Sequence, residues 1–252
     1  MKNNLKKELN KLVQKYETKN FINDDPIKFP HLYKKREDIE IAAFISSMFA
    51  YGNRKIFVAK LETLFNYMGK SPLAFISDHD FDDNFLKSFD YRFSKGVDLI
   101  QILTILKDLY SKSSLMELFE YGYKQTKSVK GMFQTAIDYF YSKVTMPVTK
   151  GFYHLLPNPK KNSAMKRMCM FLRWMVRKGD VDFGIWNFIP ASKLIIPLDV
   201  HVARLSRELG LLTKNNNDFS AVTQLMQNLS MLDKNDPVKY DFALFGYGIE
   251  NK

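Results

Sequence analysis

The stretch IIPLDVHVARLSRELG, residues 195–210, shows how an extended apolar segment turns into a helix. Residues 195–198 are apolar and include a proline, Asp199 follows them, and apolar residues then recur at helical spacing. An aspartate at such a junction accepts hydrogen bonds from first-turn amides, and its charge suits the positive end of the helix. The same setting keeps a carboxylate ionised in a fixed place. We therefore predict that Asp199 caps a helix, and we consider it as a reagent as well.

The composition is typical of a folded globular protein. The chain has 252 residues, of which 46% are hydrophobic, and a single cysteine, Cys169, which excludes an internal disulfide framework. Its four histidines lie far apart in the sequence, so we expect no metal site. There is no cleavable leader and no apolar run near the roughly 20 residues of a membrane span, so we expect a cytoplasmic protein without a membrane partner.

The net charge of +11 favours a polyanionic partner such as nucleic acid. Much of the imbalance lies in one window, because residues 150–179 contain eight lysines or arginines and no acid. The sequence has neither a phosphate-binding loop of the form GxxxxGK[ST] nor a GxGxxG motif, so no nucleotide cofactor is expected.

The spacing of apolar residues predicts an all-α fold. Apolar residues recur every three or four positions in segments such as GVDLIQILTILKDLYSK and KGMFQTAIDYFYSKV, and alternating β-branched runs are few. No long low-complexity linker interrupts the chain. We therefore predict one all-α domain over residues 1–252, formed by an N-terminal helical lobe and a C-terminal lobe that carries Lys166 and Asp199, with a cleft between the lobes.

The segment SAMKRMCMFLRWMVRK, residues 163–178, predicts an amphipathic helix with a basic face. Its apolar stripe consists of Met165, Met168, Cys169, Leu172, Met175 and Val176. Lys166, Arg173 and Arg177 fall on another line, beside Arg167, Trp174 and Lys178. Asn162 or Ser163 could cap this helix, which would place Lys166 in its first turn. The helix dipole and Arg167 both disfavour an ammonium there, which favours a neutral and nucleophilic amine, although a phosphate contact is the simpler role.

Together, these residues resemble the helix-hairpin-helix DNA glycosylase superfamily. The pattern that carries the resemblance is a lysine at a helix start, followed by a Pro-x-Asp segment that opens a later helix. In this sequence the lysine is Lys166, and the segment is IPLDVHVARL with Pro197 and Asp199. The separation of 33 residues and the segment DPVKYDFALFGYG are closer to the archaeal 8-oxoguanine glycosylase branch. The usual glycine hairpin is replaced by the glycine-free LLPNPKKNSAMK. From Asn23 onward, the chain also resembles a bacterial family labelled domain of unknown function 2400.

The glycosylase resemblance implies a base-excision enzyme that acts on damaged duplex DNA, without a cofactor or an obligate protein partner. Lys166 would attack the anomeric carbon of a damaged nucleotide, for example an oxidised purine, and Asp199 would assist it, whereas Lys160, Lys161 and Lys178 are the alternative amines. A protein that acts on DNA in this way would be associated with the nucleoid. The expected DNA-contacting residues are Lys160, Lys161, Ser163, Arg167, Arg173, Arg177 and Arg204. The expected base pocket consists of Trp174, Trp186, Phe245 and Tyr247, although core packing is the simpler role for each aromatic residue.

Two other functions fit the same residues. The first is a nucleic-acid-binding protein that keeps the fold and the basic surface but does not catalyse. The second is a glycosylase-derived domain that acts on a small nucleoside or on modified RNA. The DNA glycosylase and the non-catalytic binding protein both predict salt-sensitive binding of nucleic acid. Only a covalent adduct or base release would therefore separate the enzyme from the binding protein.

Overall fold

The computed structural model describes residues 2–251, which form fourteen α-helices, several short 3-10 turns and one two-stranded hairpin. This confirms the all-α prediction. The helices are α1 (Lys2–Tyr16), α2 (Lys19–Asp24), α3 (Arg36–Phe49), α4 (Arg54–Met68), α5 (Pro72–Asp78), α6 (Asn84–Lys87), α7 (Gly96–Tyr110), α8 (Leu115–Thr126), α9 (Val129–Ser142), α10 (Lys150–Leu155), α11 (Lys166–Val176), α12 (Val200–Glu208), α13 (Phe219–Leu232) and α14 (Tyr240–Glu250). The strands are β1 (Asp90–Tyr91) and β2 (Ser94–Lys95).

The chain divides into two compact units. Unit I comprises residues 1–24 and 159–252, and unit II comprises residues 25–158. Unit I is thus assembled from both ends of the chain, with α14 packed against both α1 and α12. Leu9, Val13 and Tyr16 form the buried face of α1. A side chain at Gly246 would collide with the Tyr16 ring, so this glycine allows α1 and α14 to approach closely.

Unit II is built around α3 and α7, whose residues are largely buried. Helices α8 and α9 pack extensively against each other, and α5 and α6 both contact α7. The hairpin pairs Asp90 with Lys95 and Tyr91 with Ser94, which leaves Arg92 and Phe93 as its two-residue turn.

Local sequence signals explain most helix boundaries in both units. Ser114 and Ser128 cap α8 and α9 with their hydroxyl groups, and Gly69 ends α4 with a positive φ of 74°. Gly52, between α3 and α4, also has a positive φ. The next residue, Asn53, caps α4 with its side chain. Residues 179–197 are mostly irregular, with one 3-10 turn at Ala191–Lys193.

Candidate active site: a lysine and an aspartate at two helix starts

Lys166 is the first residue of α11. The preceding Met165 is the cap residue, with a left-handed φ of 52° and no capping hydrogen bond from its side chain. The prediction that Asn162 or Ser163 caps the helix is therefore wrong. Asn162 instead donates to Asp218 at 3.0 Å, and the Ser163 hydroxyl accepts from the Met165 amide at 3.3 Å. This arrangement leaves the first-turn amides of α11 without a side-chain acceptor from the cap residue.

Asp199 caps α12, as the sequence predicts. One carboxylate oxygen, Oδ1, accepts hydrogen bonds from the amides of His201 and Val202, both at 2.9 Å. The Asp199 backbone is extended, and its carbonyl accepts the first helical bond, from Ala203. Buried apolar residues precede it, among them Ile196 and Leu198. The cap fixes the carboxylate and leaves its second oxygen, Oδ2, for another partner.

That partner is Lys166, whose Nζ lies 3.6 Å from Oδ2 of Asp199. The distance is that of an ion pair and is longer than a hydrogen bond. The Lys166 side chain is 36% exposed and that of Asp199 is 11% exposed. A reagent from solvent can therefore reach the amine, while the carboxylate is largely shielded. Chemically, the lysine–aspartate pair combines a primary amine with a carboxylate positioned to exchange a proton with it.

A second carboxyl group, that of Asp241 on α14, lies close enough for the charges of both Lys166 and Asp199 to act on it. Burial raises the pKa of Asp241 to about 7, and the negative charge of Asp199 adds to this, while Arg173 and Lys166 oppose it. Asp241 also acts on Cys169, one helical turn beyond Lys166, where burial raises the pKa of the thiol. Cys169 is thus a buried thiol of the core.

Arg173 and Arg177, predicted to contact DNA, lie in the core of unit I, so this prediction is wrong for both. Their side chains are only 4% and 6% exposed. Together with four carboxylates they form a group that we call the arginine cluster. In the cluster, Arg173 pairs with Asp182 at 3.2 Å and with Asp241, while Arg177 pairs with Glu17, with Asp182 at 3.1 Å and with Asp236 at 2.8 Å.

The arginine cluster contains more carboxylates than guanidinium groups. With two positive and four potential negative charges in a largely dry site, at least one carboxyl group is favoured in its neutral form. Accordingly, burial raises the pKa of Asp182 as well as that of Asp241. The cluster also explains why Asp236, which directly precedes the 3-10 turn Pro237–Lys239, makes no capping bond: its carboxylate accepts from Arg177.

The four aromatic residues predicted to line a base pocket do not share one environment. Trp174 and Trp186 are fully buried, and the Trp186 ring packs edge-on against Phe171. Both belong to the core, which corrects the prediction for these two. Phe245 is half-buried with its ring edge-on to His201, and Tyr247 is exposed. A pocket role for Phe245 and Tyr247 remains a prediction.

The remaining predicted DNA contacts fall into two groups. Lys160 and Lys161 are exposed in a 3-10 turn, and Ser163 and Arg167 are half-buried near the start of α11, so all four remain candidates. Arg204 donates to the carbonyls of Gly248 and Asn251 at the end of α14, both at 3.0 Å, and pairs with Glu208, but its side chain is 41% exposed and its DNA contact stays a prediction.

Sequence reasoning missed Asp241, Asp182 and Glu17. The signal for Asp241 was present, since it is a lone acid in the otherwise apolar helix segment YDFALFGYG. Asp182 and Glu17 gave no comparable signal, because an acid in an irregular segment or after a helix is ordinarily exposed.

An open cavity of about 710 Å³ lies in unit II and contains neither Lys166 nor Asp199. Its charged rim is largely self-paired, since Lys87 pairs with Asp82 and Lys107 donates to the His79 carbonyl. Its other lining residues include Val97, Ile100 and Met146. We place the candidate chemistry at the lysine–aspartate pair, because the glycosylase resemblance of the sequence falls on Lys166 and Asp199 and on none of the residues that line this cavity.

The structure thus defines an all-α protein in which a lysine at one helix start forms an ion pair with the aspartate cap of another, next to a buried arginine cluster. The chain belongs to the family described as Protein of unknown function (DUF2400), whose model matches residues 25–250. No curated protein and no solved structure matched the chain. Among the described residues, no helix is both long and apolar enough to cross a membrane.

Proposed function

We propose that this protein is a DNA glycosylase with abasic-site lyase activity and a helix-hairpin-helix glycosylase-like fold. Its substrate would be a damaged base in duplex DNA, with oxidised purines as the first class to test. The observation that carries the proposal is the 3.6 Å separation between Nζ of Lys166 and Oδ2 of Asp199, at the starts of α11 and α12. The resemblance of the sequence around both residues to that superfamily supports it.

Lys166 and Asp199 can together carry out the proton transfers that base removal and Schiff-base formation require. Lys166 first gives an ammonium proton to Oδ2 of Asp199, and its lone pair then bonds to C1′ as the N-glycosidic bond breaks. The base leaves with the bonding electrons and takes a proton from the attacking amine. The C1′–O4′ bond then opens, O4′ receives the proton held by Asp199, and a Schiff base joins Nζ to C1′. Once O4′ has taken that proton, Asp199 is a carboxylate again and would stabilise the positive charge of the protonated Schiff base.

Local features around Lys166 support DNA as the substrate. Met165 provides no side-chain cap, so the side chain of the cap residue does not compete with a phosphate for the first-turn amides of α11, and the dipole favours an anion there. Lys160 and Lys161 are exposed a few residues earlier. These groups would replace the glycine hairpin that the sequence lacks, because backbone amides and lysines both bind phosphate.

Borohydride trapping tests the proposal. Duplex DNA with 8-oxoguanine or an abasic site is mixed with the protein and reduced, which converts a Schiff base into a stable covalent adduct. We expect an adduct with the unmodified protein, none with Lys166→Gln, and greatly reduced base release with Asp199→Asn although DNA binding persists. Lys234→Gln, at an exposed lysine beyond the end of α13, is the matched control and should form the adduct normally.

Two results would overturn the proposed roles. An adduct that persists in Lys166→Gln and disappears in Lys160→Gln or Lys161→Gln would transfer the nucleophile to that residue. Binding without any adduct or base release across a panel of lesions would favour the second function, a nucleic-acid-binding protein that does not catalyse. One observation favours that alternative, because the ion pair and the two cap bonds of Asp199 account for both side chains without a substrate.

A further inference from the structure

The turn of the β1–β2 hairpin in unit II holds an arginine in a conformation that arginines rarely adopt. Arg92 has a φ of 53°, in the left-handed region where glycine or asparagine is usual. Both Arg92 and the following Phe93 are exposed, the phenylalanine by 54%. Strained residues persist where the surrounding structure enforces them, often at binding sites. The hairpin therefore presents a cation and an apolar ring at its tip.

Phe93 is part of a group that we call the aromatic platform and define as Tyr51, Arg92, Phe93 and His154, of which Arg92 and Phe93 are exposed and Tyr51 and His154 are half-buried. The Tyr51 ring is nearly parallel to that of Phe93, with an interplanar angle of 14° and centroids 6.5 Å apart. The His154 ring lies 4.9 Å from Phe93 and 4.5 Å from Tyr51. The Arg92 guanidinium lies 5.7 Å from the centroid of the Phe93 ring, within cation–π range.

Backbone contacts hold the platform in place. The Tyr51 hydroxyl donates to the Tyr91 carbonyl at 2.9 Å, and the Tyr91 hydroxyl donates back to the Tyr51 carbonyl. A Cβ at Gly52 would lie 2.7 Å from the Tyr91 hydroxyl, and one at Gly151 would collide with the Phe93 carbonyl. These glycines let the neighbouring segments close on the hairpin. A surface fixed in this way loses little conformational entropy when it binds a ligand.

The charges next to the platform are mostly positive. Arg54 and Lys55 are exposed at the start of α4, directly after Tyr51, Gly52 and Asn53. The acid closest in sequence to the tip, Asp90, pairs with Lys95 at 2.8 Å. Aromatic rings flanked by cations suit a polymer that offers a flat base and a phosphate to the same surface, because bases stack on aromatic rings with little sequence preference.

From this arrangement we infer that the aromatic platform binds single-stranded nucleic acid by stacking an unpaired base on Phe93, with Arg92 next to the phosphate backbone. The inference involves unit II alone and none of the atoms of the lysine–aspartate pair. It therefore stands or falls separately from the proposed glycosylase activity.

Two labelled oligomers with equal phosphate counts test the inference by fluorescence anisotropy. One is an oligothymidylate of twelve nucleotides, and the other is a twelve-unit abasic backbone without bases. The unmodified protein should bind the oligothymidylate more tightly. We expect Phe93→Ala to weaken oligothymidylate binding by about tenfold and to leave binding of the abasic oligomer unchanged. Arg92→Ala should weaken binding of both and reduce the dependence on salt.

The controls separate stacking from general damage to the protein. Tyr121→Ala removes an aromatic side chain of similar exposure, 59%, from α8 in the same unit and should bind both oligomers normally. Phe93→Tyr should keep the affinity for the oligothymidylate, whereas Phe93→Leu should lose it. If the alanine variant is unstable, this pair still shows whether an aromatic ring at position 93 is required. Lys166→Gln should bind like the unmodified protein. Equal affinity of Phe93→Ala and the unmodified protein for oligothymidylate, or an equal loss on both oligomers, would overturn the inference.

Discussion

At the scale of the residue, Asp241 links the stability of unit I to the state of the candidate site. It is a buried carboxyl group bonded to Arg173, and the charges of Lys166 and Asp199 act on it. Since burial raises its pKa from 3.8 to about 7, the folded protein holds a proton at pH values where the unfolded chain has lost it. By linkage, this contribution to stability is complete below about pH 4 and is lost as the pH rises through 7.

Asp241→Asn should therefore flatten the pH dependence of stability. A shift of about three pKa units corresponds to about 4 kcal/mol, most of which the unmodified protein should lose between pH 4 and pH 7. The asparagine keeps an oxygen that can accept from Arg173 but does not ionise. Urea unfolding at pH 5, 6, 7 and 8 measures the effect. Asp180→Asn, at an exposed acid nearby, is the control, and an equally steep slope in both variants would contradict the assignment.

At the scale of the element, Asp199 has two separable functions, one for each of its carboxylate oxygens. Oδ1 caps α12 and Oδ2 faces Lys166. An asparagine can still accept the two amide hydrogen bonds but carries no charge, whereas an alanine can do neither.

We expect Asp199→Ala to lower the free energy of unfolding by about 1 kcal/mol, and Asp199→Asn to lower it by a smaller amount. Asp218→Ala is a matched control, since Asp218 caps α13 by the same type of bond, to the amide of Ala221 at 3.0 Å. Chemical denaturation of the four proteins gives the comparison. If Asp199→Asn and Asp199→Ala are equally destabilised, the charge of Asp199 rather than its cap supports the helix.

The helices and their caps could largely be predicted from the sequence, whereas the distant partners of their side chains could not. Caps such as Asp199 and stops such as Gly69 act through neighbouring residues, so the existence of most helices could be predicted from the sequence. Helix α11 shows the limit of this reasoning. Its spacing correctly groups Arg173 with Arg177, but their partners Glu17 and Asp241 lie 160 and 68 residues away in the sequence. A helical pattern shows which residues share a face and leaves open whether distant acids cover that face.

At the scale of the whole molecule, unit I depends on a segment outside the region that matches the family model. That match begins at residue 25, whereas α1 contributes a buried apolar face and Glu17 follows it directly. Glu17 accepts two hydrogen bonds from Arg177, one of them at 2.9 Å. A protein that lacked residues 1–24 would keep the buried guanidinium of Arg177 without this partner, and the face of α14 that packs on α1 would be exposed.

Removal of residues 1–24 should therefore destabilise unit I by several kcal/mol, since each of the buried side chains Leu9 and Val13 contributes about 1.5–3 kcal/mol and Arg177 loses one of its carboxylate partners. Glu17→Gln in the full chain isolates the charge, because the packing of α1 stays in place, and it should cause a smaller loss. Urea unfolding followed by tryptophan fluorescence suits the measurement, since both tryptophans, Trp174 and Trp186, lie in unit I. An unchanged unfolding midpoint in the shortened protein would show that α1 is dispensable and that Arg177 is held by Asp182 and Asp236 alone.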